Sequence, residues 1–237
     1  MATFTAALLR VVRSVPAFQS RGKPPRYSRR GPAPARGGAA CGLRISDGHR
    51  PLLWPVRTLV VIGCGPWGLC VLERLLSRAR AQRASVAIHV VEAGRPGTGV
   101  YQTDQPDYLV LNNPCGQLSL YARPEADRDP PYGLGLFEWA RRRGYGWVGD
   151  ECRVGGRGRP VEPTDFLPRR LMGEYLQWFY ETLVADAPAG VAVIHHPTPA
   201  VDVVAIGDRE LVVLGDGSSV AADRVVLTSG HTPNLPA

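Results

Sequence analysis

The sequence predicts an α/β fold: a parallel sheet entered through a glycine-rich turn, with an inserted helical segment and a small β-meander. Three observations carry that prediction. Leu59-Val60-Val61-Ile62 is an unbroken apolar run, as expected of a strand buried on both faces of a parallel sheet. It leads directly into Gly63-Cys64-Gly65-Pro66-Trp67-Gly68, after which Leu69, Val71, Leu72, Leu75 and Leu76 recur at helical spacing, with Glu73, Arg74 and Arg78 between them. Val86 to Val91 reads as a second strand, and Glu92 stands at its end.

Before Arg57 the text is different. Residues 1–55 are rich in Arg, Ala, Gly and Pro and are expected to be a disordered tail, since such a composition buries too little apolar surface to offset its ordering entropy. The first 20 residues lack acids and alternate arginine with aliphatics, in the manner of an organelle transit peptide. A cytoplasmic location is the default expectation, with an organelle matrix as the alternative if the tail is such a signal. The 237-residue chain carries a formal +7, but ten basic residues against Asp47 alone put +9 on residues 1–50. The remainder, with 18 basic and 20 acidic side chains, is at −2. A nucleic-acid surface needs its charge on the folded part, so no nucleic-acid partner is expected. The stretch from Thr58 to Leu72 is broken by glycine and proline and is too short to span a bilayer, so no membrane partner is expected either. The five cysteines include no C-x-x-C pair, which fits neither a disulfide framework nor a zinc site.

Strand, G-x-G-x-x-G, helix, strand and acid within one unit is the context that gives the hexapeptide its meaning. Gly63 permits the tight turn off the strand, Gly65 lets the backbone approach a pyrophosphate, and Gly68 lets the helix pack closely on the strand. The helix start offers N–H groups and the positive dipole end to phosphate. The expected phosphate-binding set is therefore Gly63, Gly65, Pro66, Trp67 and Gly68. Glu92 is placed to accept hydrogen bonds from ribose hydroxyls, and its charge would repel a 2′-phosphate, which favours FAD or NAD over NADP at this site. Arg95 close by is read as a solvated loop arginine.

After Glu92 the expected order is a long glycine-bearing loop with Gly94, Gly97 and Gly99, then Leu109-Val110-Leu111 and Asn112-Asn113-Pro114. A long helix follows from about Thr164 to Ala185, capped by Thr164 or Asp165, with Pro168 in its first turn and Phe166, Leu167, Leu171, Tyr175, Trp178 and Phe179 on its apolar side. Val191–Ile194, Val201–Ile206 and Leu211–Leu214 are short strand-like runs of a meander. No further βα unit is expected between Glu92 and the last strand. Ala222 to Leu227 is expected to return, buried, to the parallel sheet and to end in the turn Thr228-Ser229-Gly230.

Several of these segments carry a family resemblance. Ile62-Gly63-x-Gly65-Pro66-x-Gly68-Leu69, Gly97-x-Gly99-x-Tyr101, Asn112-x-Pro114, Gln117-Leu118-Ser119, Gly173-Glu174-Tyr175-Leu176 and Val225-Val226-Leu227-x-x-Gly230-His231-Thr232-Pro233 together resemble the FAD/NAD(P)-binding domain of FAD-dependent urate hydroxylases and L-aspartate N-monooxygenases. The resemblance spans about Val56 to Pro233. It implies a Rossmann-like FAD/NAD(P)-binding fold over 56–237, with the C-terminal half of the family architecture missing or on a separate chain. It also implies that Gly63, Gly65 and Gly68 contact the FAD pyrophosphate and Glu92 the adenosine ribose. The Gly97–Asn113 loop, with Gly99 and Asn113, would run beneath the flavin, and Gly230 would close the site. One departure is Thr228-Ser229-Gly230 where such flavoproteins often carry Ala-Thr-Gly.

Other candidates have plainer readings. Cys64 reads as a small hydrophobe, Cys115 lacks a partner for disulfide chemistry, and His195-His196 read as surface histidines. His231 follows the glycine turn and could stand near the cofactor. Arg169 and Arg170 read as a solvated face of the long helix. No hydrolase, zincin or P-loop motif occurs. The expected activity is that of an FAD-binding oxidoreductase of the monooxygenase type, using NAD(P)H and O₂ on a small polar substrate, or of its FAD-binding portion. The alternatives are a non-catalytic dinucleotide-binding module and an NAD-dependent dehydrogenase without flavin.

Overall fold

The computed structural model describes residues 57–121, 133–155 and 158–230. The tail expected over 1–55, and His231, lie outside the described residues.

Strand β1 (Arg57–Ile62) leads through the glycine turn into helix α1 (Pro66–Gln82), and the chain returns as β2 (Val86–Val91). Helix α1 starts at Gly65 as N-cap, with Pro66 in the first turn, where its missing N–H removes no intrahelical bond. It stops at Arg83, which takes a left-handed conformation (φ 50°) and donates its N–H back to Arg80. The insertion then holds a single 3₁₀ turn at Cys115–Gln117, helix α2 (Leu136–Arg142), and a small antiparallel sheet of β3 (Tyr145–Val148), β4 (Glu151–Val154) and β5 (Arg159–Pro160), with β3 central.

Helix α3 (Arg169–Ala185) begins later than its apolar spacing suggests. Leu167 precedes a proline and is biased toward extended backbone. Its carbonyl accepts the Leu111 N–H, and Phe166 is exposed rather than on the helix face. Asp165 does not cap the helix. Its carboxylate accepts from Arg159, from Trp147 Nε1 at 3.0 Å and from the Glu162 N–H at 2.8 Å, which closes a turn ahead of Pro168.

The next strand corrects a second expectation. β6 (Val191–His196) is not part of the meander: it pairs in parallel with β2, from Val86↔Val191 to Val91↔His196. The chain therefore does contain a further αβ unit after the insertion. The meander is β7 (Ala200–Ile206), β8 (Arg209–Leu214) and β9 (Ser219–Ala222), after which β10 (Arg224–Leu227) pairs in parallel with β1. The parallel sheet has the order β10-β1-β2-β6. β10 returns to it as expected, but as an edge strand: Leu227 is 56% exposed.

Two apolar clusters set the layers. Val61, Ile88 and Val90 face Leu69, Leu72 and Leu76 of α1 and Leu171, Leu176 and Phe179 of α3. Val60 and Val91, on the other face of the sheet, pack with Val212, Leu214 and Ala222 of the meander. Adjacent valines of one strand thus serve opposite layers, as strand alternation requires. No helix among the described residues is long and apolar enough to cross a membrane.

Candidate functional site

From β1 the chain moves outward one way, to β2 and β6, and comes back on the other side as β10. The order reverses at β1, and open α/β sheets bind ligands outside the carboxyl ends of the strands at that point. Gly63 stands at the end of β1 and Thr228 at the end of β10. The Thr228 N–H donates to the Ile62 carbonyl at 2.8 Å, and its hydroxyl donates to the Gly63 carbonyl at 2.6 Å. Thr228 thereby ties the glycine turn to the last strand.

The three motif glycines answer to different demands. Gly63 has φ +87°, and a Cβ there would lie 2.6 Å from the Thr228 carbonyl oxygen. A Cβ on Gly68 would lie 2.3 Å from the Gly63 carbonyl oxygen. Both are required by the packing of turn, helix and strand. Gly65 is not: its nearest neighbour would be the Gly99 Cα at 3.5 Å, an ordinary contact. Protein packing leaves the missing side chain at Gly65 unexplained. The adjoining start of α1 has no side-chain cap and no acidic residue in its first turn, so its dipole end is not neutralised by the helix itself.

Glu92 closes on this turn. Its Oε2 accepts the Cys64 N–H at 2.8 Å and its Oε1 the Gly94 N–H at 3.2 Å. The loop after it is docked on both sides. Gly97 donates its N–H to the Cys64 carbonyl at 2.5 Å, and a Cβ on Gly97 would meet the Leu176 carbonyl oxygen of α3 at 2.6 Å. Reciprocally, a Cβ on Gly173 of α3 would meet the Tyr101 carbonyl oxygen at 2.0 Å. The glycine-rich loop and Gly173 are thus two halves of one close contact, which seats Gly99 beside Gly65 and Pro66.

The structure therefore brings together Gly63, Gly65, Pro66, Gly68, Glu92 and Gly99. Trp67 projects outward from the first turn of α1 and is exposed. Gly230 lies two residues past Thr228, at φ +70°, and a Cβ there would meet nothing within 4 Å among the described residues. Asn113 is exposed, and its neighbours attach to another segment: Leu111 N–H bonds Leu167, and Cys115 N–H bonds Asp165 at 2.8 Å. Sequence reasoning missed Thr228 and Gly173. A glycine inside a helix costs about 1 kcal/mol relative to alanine, so Gly173 carried a signal of close approach. A threonine hydroxyl at a strand end carried none.

The electrostatics disfavour a thiolate here. Burial, and then the Glu92 carboxylate, push the Cys64 thiol up to about 12, so it remains a protonated core group. Cys115 is held at about 11, chiefly by burial. Arg170, expected on a solvated face, instead pairs with Asp107 (Nε–Oδ1 2.5 Å), with Glu174 at 3.1 Å and with the Cys152 carbonyl at 2.5 Å. Arg169 lies over the Tyr101 ring at 4.7 Å. Both arginines hold the insertion to α3. Among the described residues no cluster of three metal-ligating side chains occurs.

A family model described as FAD-NAD(P)-binding matches residues 60–232. The chain belongs to that FAD-NAD(P)-binding family. It is 35% identical over 195 residues to an L-aspartate N-monooxygenase (nitrosuccinate-forming) of Streptomyces davaonensis, covering 76% of this chain and 30% of that protein. It is 31% identical over 183 residues to a nitrosuccinic acid synthase of Aspergillus oryzae, covering 74% of this chain and 26% of that protein. The chain thus spans less than a third of the curated relatives it matches. Among solved structures, a flavin-containing monooxygenase from Stenotrophomonas maltophilia matches at 21% identity and a TM-score of 0.42, covering 76% of this chain and 42% of that one.

Proposed function

We propose that residues 56–237 are the FAD-binding portion of a flavin-dependent oxidoreductase of the monooxygenase type, with NAD(P)H as electron donor and O₂ and a small polar substrate as reactants. L-aspartate, named for the curated relatives, is of that substrate class. One observation carries the reading: the backbone at Gly65 is bare where no protein contact needs it to be, directly before an uncapped helix start. That is the cradle a pyrophosphate requires, and a Cβ would fill it. In this reading Gly65 and the first turn of α1 hold the diphosphate, and Glu92 takes the adenosine ribose hydroxyls while its other contacts keep the turn in shape. Thr228 fixes the Gly63 carbonyl, and the Gly97–Tyr101 loop covers the turn. Asn113 and Gly230 belong further along the cofactor, toward the flavin. The chemistry FAD supplies when bound is two-electron transfer from a nicotinamide to O₂, while the protein binds, orients and excludes water. We place the protein in the cytoplasm, with residues 1–55 as a tail and without a nucleic-acid partner.

The test is optical. The purified protein should be yellow, absorb near about 450 nm, and bleach on anaerobic addition of NADH or NADPH. A colourless protein that binds NAD supports the dehydrogenase alternative. Bound FAD that neither nicotinamide bleaches supports a binding module that does not complete the nicotinamide site.

A further inference from the structure

Glu92 is held from behind by two consecutive histidines. Its N–H donates to the His196 carbonyl at 3.1 Å, and its own carbonyl lies 3.0 Å from His195 Nε2, which must therefore carry the hydrogen. The register of β2 and β6 puts His89, Ile194 and His196 on one face of the sheet. There His89 Nδ1 and His196 Nε2 face each other at 2.8 Å, with the rings near-parallel at 5.1 Å.

We propose that the His89–His196 pair is a proton-sensitive latch that sets the position of Glu92 and, through it, the grip on the adenosine half of the cofactor. This deepens the proposed function and rests on it for the identity of the ligand. Two imidazole nitrogens at that spacing share one bridging hydrogen. The pair accepts one imidazolium, whose N–H can donate to a neutral neighbour. It does not accept two, because two N–H groups and two positive charges would then confront each other.

Charged and titratable groups stand on every side of the pair. On the β8–β9 turn stands Asp216, whose carboxyl is held low mainly by its bonds to Ser218, with His196 contributing. On the strands themselves stand Glu92 and His195, and from α3 the Tyr180 ring lies edge-on to His195 at 6.4 Å. Within the pair His89 is the ring disfavoured as a cation: burial, and then the field of His196, hold it below the ordinary histidine range. A lowered histidine pKa means that its contribution to stability is present above about pH 6.5 and is lost as pH falls through the folded value. When His89 takes the second proton the pair opens, and the side-chain clamp that steadies the end of β6, with the His196 carbonyl that receives the Glu92 N–H, is lost. The His195 bond survives, because Nε2 carries a hydrogen in both charge states.

The experiment follows the Cys64 and Glu92 amide resonances and the histidine imidazole resonances by NMR from about pH 7.5 to about pH 5.5, without nucleotide. FAD affinity is measured over the same range by flavin fluorescence. Both amides should shift with the His89 midpoint, and FAD affinity should fall about tenfold across the range. In His89→Asn, or in His196→Asn if the first variant does not fold, both responses should vanish. Amides that stay still while His89 titrates would overturn the latch, as would amides that move unchanged in a folded variant, or tight FAD binding with no pH dependence. If FAD binds at no pH the proposed function fails, and the amide titration alone decides the latch.

Discussion

An alanine at Gly68 would set its Cβ 2.3 Å from the Gly63 carbonyl oxygen, whereas an alanine at Gly65 would meet nothing closer than 3.5 Å. The two substitutions are chemically identical, so their difference separates folding from binding. Gly68→Ala should destabilise by about 1–3 kcal/mol, the usual cost of overpacking, read as a lower melting temperature. Gly65→Ala, at the N-cap of α1, should cost no more than about 1 kcal/mol and yet lose its FAD, read as flavin content of the purified protein. A Gly65→Ala protein that unfolds would mean that packing, not a ligand, holds that position bare. Glu92→Gln keeps the size but removes the charge proposed to receive the ribose hydroxyls, and its single amide oxygen can serve only one of the Cys64 and Gly94 N–H groups. FAD affinity should drop about tenfold, since hydrogen bonds to charged groups contribute about 1.5–3 kcal/mol.

At the scale of elements, the ends of helices were the least legible part of the sequence. The start of α1 was plain, because Gly65 and Pro66 announce it. The start of α3 was not, because the apolar spacing runs back through Leu167 while Pro168 and the ion pair of Arg159 with Asp165 end the continuity. Arg83 shows the same limit at the end of α1: nothing in an arginine signals a left-handed cap. Such a conformation costs a non-glycine residue about 1–2 kcal/mol, so Arg83→Gly should stabilise the protein by roughly 1 kcal/mol, measured by thermal melting. The insertion depends on Arg170, which is 20% exposed and paired with Asp107 at 21%. Replacing it with methionine leaves Asp107 and Glu174 without their partner and should cost about 3 kcal/mol. The Arg170 hydrogen bond is the main reason that the Asp107 carboxyl sits below its usual range. Its contribution is therefore present above about pH 4 and lost as pH falls below that, and the Arg170→Met protein should show a flatter loss of stability in acid.

For the whole molecule, the three-layer arrangement was half visible. The sequence of strand, glycine turn, helix, strand and acid named the central layer and its switch point, because each residue type there has a narrow physical use. In the sequence β6 reads as meander, since Val191-Ala192-Val193-Ile194 is a short β-type run like those that follow it, and only its pairing with β2 distinguishes it. The contact between the Gly97 loop and α3 joins segments almost 80 residues apart in the chain, beyond what local patterning encodes. Those long-range pieces are what assemble the cradle, and the claim about its occupant stands at the centre of the account. The most direct measurement is to denature the purified protein and identify the released nucleotide by chromatography. FAD should be released, near one per chain, and should be absent from the Gly65→Ala protein. Release of NAD alone, or FAD in undiminished amount from Gly65→Ala, would contradict it.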